Sequence, residues 1–77
     1  MVGAYVFIHI RAGWVKKILR EIGEFSEVTS VHACWGRPDL IAHVKVTDLK
    51  KLQELILQRF QHIEGITATD THIVLDG

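Results

Sequence analysis

The chain has 77 residues, 48% hydrophobic and 23% charged, which makes one domain with a high apolar content for its volume. Nine Lys and Arg balance nine Asp and Glu, and a formal net charge of zero offers no positive excess for phosphates, so nucleic acid is not expected as a direct partner. One cysteine excludes an intrachain disulfide, there is no signal peptide, and no apolar run approaches the roughly 20 residues of a membrane helix, so the expectation is a cytoplasmic domain over residues 1–77 with no membrane partner.

Residues 4–10, AYVFIHI, read as a strand. Ala4, Val6, Ile8 and Ile10 share one side, and Tyr5 and Phe7 the other; apolar groups at both parities predict cover on both faces. Gly13 turns the chain into a helix over 14–25. Val15, Ile18, Leu19, Ile22 and Phe25 line its buried face, with Lys16, Lys17, Arg20, Glu21 and Glu24 opposite. Residues 27–35, EVTSVHACW, form a second strand, and Gly36-Arg37-Pro38-Asp39 a tight turn into a third, LIAHVKV over 40–46. Thr47 or Asp48 caps a helix over 49–62 that buries Leu49, Leu52, Leu55, Ile56, Phe60 and Ile63. Glu64-Gly65 ends it, and ITATDTHIVL, 66–75, is the last strand.

The order β-α-β-β-α-β is the split βαβ plan of an α+β, ferredoxin-like fold. Right-handed crossovers give a four-stranded antiparallel sheet with both helices on one face. The other face is bare in a monomer, and an apolar sheet face of that size predicts a dimer through the sheet, of the dimeric α/β-barrel type, and larger assemblies.

Of the five histidines, His9, His32, His43 and His72 lie on strands and His62 on a helix. They show no metal-ligand spacing, so no metal is expected, and their plain role is amphipathic filling at strand ends and interfaces. His32 and Cys34 share a strand face, but no glycine elbow or third orienting group accompanies them. No cofactor is expected, since no glycine-rich phosphate loop is present. Tyr5 and Phe7 could stack on RNA bases, against which stand the balanced charge and the missing basic-aromatic run. Two features bear on binding: the turn with Gly36 and Asp39, and the alternating Thr67, Thr69 and Thr71. Gly and Asp are also what turns prefer, and Thr what strands prefer. Together, turn amides and a row of hydroxyls can hold a carboxylate while Asp39 holds an ammonium, which suits a free amino acid.

The run VHACWGRPDLIAHVKVTDLKKLQELILQRFQHIEGITATDTHIVL resembles the effector-binding domain of the leucine-responsive regulatory protein/AsnC family, the RAM domain. The residues that carry the resemblance are Gly36 and Asp39 after a strand, Glu64-Gly65-Ile66 closing a helix, and Thr69-Asp70-Thr71 leading into Ile73-Val74-Leu75; the opening AYVFI also fits. The resemblance spans essentially the whole chain. It implies a ferredoxin-like fold, sheet-to-sheet dimers, rings of dimers, and amino acids bound between dimers. It maps the effector site onto Gly36, Asp39, Thr69 and Thr71, with Pro38 where the family often has a bulky residue. Full-length members carry an N-terminal helix-turn-helix; here the first strand begins at about Ala4, so the chain reads as a stand-alone form with no DNA-binding domain.

The expected function is therefore an oligomeric amino-acid sensor linked to transcriptional regulation, acting through its assembly state or by joining full-length relatives, and not an enzyme. The alternative is a small dimeric α/β-barrel enzyme, mono-oxygenase- or isomerase-like, with one of the strand histidines as acid or base. A related ACT-type amino-acid-binding domain and a purely structural oligomerisation module complete the set.

Overall fold

The computed structural model describes residues 1–75. It runs β1 (Val2–Ile10), α1 (Val15–Gly23), β2 (Val28–Ala33), β3 (Leu40–Val46), α2 (Leu49–Gln53) and β4 (Ile66–Ile73), with a π-helical segment Glu54–Arg59 and a 3-10 turn Phe60–His62 continuing α2. The strands form one antiparallel sheet in the order β2-β3-β1-β4, as the ferredoxin-like plan requires. The hydrophobic strand β1 is central: Val6 lies between Ala42 and Thr71, and Ile8 between Leu40 and Thr69.

The two parities of β1 have different fates. Ala4, Val6 and Ile8 are fully buried against Ile18, Ile22, Leu55, Ile56 and Phe60 on the helical side. Tyr5 and Phe7 face the other way, and Tyr5 is 47% exposed. The core closes with Phe60 edge-on to Phe25 at 5.2 Å between ring centroids. Outside that pair, the Arg59 guanidinium lies 4.4 Å from the Phe25 ring and donates to Glu27 at 3.1 Å.

The helices differ from the sequence expectation in physically readable ways. α1 is shorter than 14–25 and ends at Gly23, which favours the unfolded chain over helix. Asp48, not Thr47, caps α2, its carboxylate accepting the Lys51 amide at 2.9 Å. Leu49, expected in the buried stripe, is 55% exposed, because it sits in the first turn and overhangs the edge strand. Beyond Gln53 the helix widens into π geometry. At about 100° per residue, a regular α-helix would aim Arg59 within about 20° of Leu52, into the core. The wider i→i+5 turns shift the register by about one residue, so Phe60 is buried and Arg59 reaches the surface.

β4 carries a bulge opposite His9 and Ile10. There Thr67 leaves the expected threonine row and its hydroxyl donates to the His9 carbonyl at 3.1 Å.

Candidate functional site

The β2–β3 turn is pinned at both ends. The Cys34 amide donates to the Asp39 carbonyl at 2.8 Å, and the Asp39 amide donates to the Ile8 carbonyl at 3.0 Å. The Asp39 carboxylate then accepts the Ile10 amide at 2.7 Å through Oδ2. Its Oδ1 carries no hydrogen bond among the described residues. Gly36 sits at φ +105, a conformation open chiefly to glycine, with no neighbour within 4 Å of where a Cβ would stand. The Arg37–Pro38 peptide is cis.

Thr69 and Thr71 sit on β4 on the helical side of the sheet, since they pair with the inward residues Ile8 and Val6. The Thr69 hydroxyl accepts from Gln61 Nε2 at 3.0 Å. Thr71 lines a groove of about 340 Å3 between β4 and α2 with its continuation, whose other walls include Leu52, Ile56, Leu57 and Ile73.

The structure brings Gly36 and Asp39 together, and Thr69 and Thr71 together, but it sets β1 between the two pairs. Asp39 and Thr69 stand two strand spacings apart, roughly 9–10 Å. The cavities of about 520, 340 and 220 Å3 are lined without Gly36 or Asp39. None of these three cavities joins the four residues.

Trp35, not singled out from the sequence as a candidate, is fully exposed at 105%. The expected strand 27–35 includes Trp35 as its last residue, whereas β2 closes at Ala33 and leaves Trp35 outside the sheet beside the Gly-Pro turn.

The histidines gather elsewhere. His9, His32, His43 and His72 lie on the sheet face away from the helices, by their pairing with Phe7-parity positions. His9 Nε2 approaches Asp70 at 3.5 Å, and its Nδ1 is buried without a hydrogen-bond partner among the described residues. His43 packs on Tyr5, and His72 on Phe7. No histidine lines these three cavities. Among the described residues no three of His, Cys, Asp and Glu are grouped to hold a metal ion. The Cys34 thiol lies 3.9 Å from the His32 carbonyl rather than against an imidazole. Among the described residues no helix is long and apolar enough to cross a membrane.

Residues 3–77 match the family profile of the Lrp/AsnC ligand binding domain. An uncharacterised HTH-type transcriptional regulator of Pyrococcus horikoshii is 31% identical over 71 residues, covering 92% of this chain and 45% of that protein. The chain thus spans less than half the length of that relative. A crystal structure from Thermus thermophilus superposes with a TM-score of 0.94 at 28% identity, covering 100% of this chain and 96% of the other. A transcriptional regulator of Neisseria meningitidis, solved as an L-Met complex, shares the fold with a TM-score of 0.88 at 21% identity over 97% of this chain and 50% of that one.

Proposed function

The chain belongs to the Lrp/AsnC ligand-binding domain family, and on that premise we propose that it is an oligomeric sensor of a free amino acid, linked to transcriptional regulation. The observation that carries the reading is the half-used carboxylate of Asp39. One oxygen is fixed by the Ile10 amide, and the other is open to a ligand's ammonium. The turn is already immobilised by its backbone bonds to Cys34 and Ile8, so little ordering entropy opposes binding. Gly36 lets a ligand carboxylate approach the backbone closely, and the hydroxyls of Thr69 and Thr71 supply further donors. Because β1 separates the two pairs, one copy contributes the turn and another the threonines.

Two interfaces follow. The Tyr5, Phe7 and Ile41 face of the sheet pairs with its counterpart in a second copy, and dimers assemble further into rings with ligand between them. Residues 1–77 act as one ligand-binding and oligomerisation unit that can join full-length relatives, whose helix-turn-helix makes the DNA contact. The domain's work is binding, in the cytoplasm, and not catalysis.

The test is thermal unfolding with each amino acid at millimolar concentration, starting with L-Met. A ligand at 100 times its Kd adds about 2.7 kcal/mol, equivalent to roughly 10–20 °C in a domain this size. A melting temperature indifferent to all twenty would end the sensor reading.

A further inference from the structure

Trp35 is the most exposed large apolar side chain of the described residues, and it projects from a turn held by three hydrogen bonds. At the opposite edge of the sheet, the groove between β4 and α2 with its continuation is walled by Leu52, Ile56 and Ile73 and rimmed by Leu49 and Leu57, which are 55% and 54% exposed. We propose that Trp35 of one copy seats in this groove of a second copy, head to tail.

Chemistry and size both fit an indole. The groove lining holds no charged group, only apolar walls with the Gln53 amide and the Thr71 hydroxyl. Either polar group can accept the indole N–H, the one polar demand a buried tryptophan makes. About 340 Å3 admits one bicyclic ring with room to spare. Neither feature can satisfy the other within a chain, because β3 and β1 separate the β2 side from β4. Zero net charge sets no long-range repulsion against a second copy.

Area decides the character of the contact. A seated Trp removes about 150–250 Å2 of its own surface. With a similar area from the groove, the total falls well below the roughly 1,200 Å2 of a stable interface. One such contact is too small to hold a dimer alone. A head-to-tail contact uses two different patches, so in a closed ring every chain gives one Trp35 and receives another. Seating also sets Gly36, the next residue, beside Thr71 of the other copy. The contact itself stands on the exposed indole and the groove, whereas its role in completing a ligand site rests on the sensor reading above.

Trp35 and Trp14 are the two tryptophans, so Trp14→Phe leaves Trp35 as sole fluorophore. In that background, assembled protein is expected to emit at shorter wavelength and to resist acrylamide quenching. Leu57→Glu, a change at an exposed rim position that leaves the core intact, is expected to return the emission to that of solvated indole. Mixing this Leu57→Glu chain with a Trp14→Phe/Trp35→Ala chain should restore the short-wavelength emission, because the one remaining Trp35 meets an intact groove. Solvated emission at every concentration would overturn the proposal, as would a shifted emission that Leu57→Glu leaves unchanged, which would place Trp35 on another surface. An L-Met titration separates the two readings. A seated Trp35 with no amino-acid effect keeps the contact and removes the sensor; a ligand-raised melting temperature with a solvated Trp35 does the reverse.

Discussion

The carboxylate of Asp39 extends the sheet just ahead of Leu40, where the backbone of β3 begins. The last pair of the β1–β3 ladder is Ile8 with Leu40, and one step beyond it the Ile10 amide finds Asp39 Oδ2 at 2.7 Å instead of a strand carbonyl. The side chain thus stands in for a ladder carbonyl, and the turn is docked onto a strand 29 residues away in sequence. One oxygen is structural, and the other is the proposed ligand group.

This division predicts different outcomes for two substitutions. Asp39→Ala leaves the part-buried Ile10 amide without an acceptor and should cost about 1.5–3 kcal/mol, the range for a hydrogen bond to a charged group. Asp39→Asn keeps an oxygen for that amide but loses the charge, so urea denaturation should show less than half of that loss. Both variants should lose the amino-acid-dependent rise in melting temperature. An Asn variant with a full ligand response would remove the ammonium role from Asp39.

Two glycines with nearly the same backbone angle separate strain from crowding. Gly65 and Gly36 lie at φ +102 and +105. A Cβ on Gly65 would meet Ile18 Cδ1 and Trp14 Cε3, each at 2.8 Å, while one on Gly36 would meet nothing within 4 Å. Gly36→Ala should cost about 1–2 kcal/mol from backbone strain alone. Gly65→Ala adds overpacking of about 1–3 kcal/mol. Equal denaturation midpoints for the two variants would contradict this account.

Phe60 tests the widened helix. It is fully buried against Phe25, while its neighbour Arg59 lies over the same ring from outside. Phe60→Ala should cost about 3–5 kcal/mol, a large share of what a domain this size possesses. Arg59→Ala should cost about 1 kcal/mol or less, since it removes only an exposed ion pair and a surface cation–π contact. A regular α-helix would bring the two losses closer together, so chemical unfolding of the pair measures the register.

The element order was legible because strand alternation and helical periodicity report burial directly. Ala4, Val6, Ile8 and the stripe Ile18–Ile22 fall where their spacing places them. The π segment was not legible: Leu52, Ile56 and Phe60 sit four apart, which an ordinary helix also tolerates, and only the core's demand for Phe60 over Arg59 decides the pitch. At the candidate site, turn chemistry named Gly36 and Asp39, and alternation named Thr69 and Thr71. What one sequence could not convey is strand order in space, and it is β1, inserted between β3 and β4, that keeps the two pairs apart.

The bare sheet face gives a prediction about assembly. Phe7 is half-buried between Ile41 and Asp70 and points away from the helices. If a second copy covers it, Phe7→Asp buries two unpaired carboxylates per dimer beside Asp70 of each chain, and the dimer should dissociate. Sedimentation should then show a folded monomer. An unchanged particle would mean that the copies meet through other surfaces.

Thr69 and Thr71 differ in what the chain already asks of them, and valine tests this because it nearly keeps the shape while removing the hydroxyl. Thr69 is partly buried and accepts from Gln61 at 3.0 Å. Thr69→Val should therefore cost up to about 1 kcal/mol, the net worth of a neutral hydrogen bond. Thr71 is exposed at the groove and its hydroxyl has no hydrogen-bond partner among the described residues. Thr71→Val should leave the free protein's stability within about 0.5 kcal/mol. In the proposed assembly its effect belongs to the assembled state, where the hydroxyl would meet a ligand or the indole of another copy. Measured by calorimetric unfolding with and without L-Met, the expected pattern is a small loss for Thr69→Val in both conditions and a loss for Thr71→Val only with ligand. A Thr71→Val variant that retains the full ligand-dependent shift would leave the groove without a part in binding, since the hydroxyl is the one group that β4 contributes there besides the apolar Ile73.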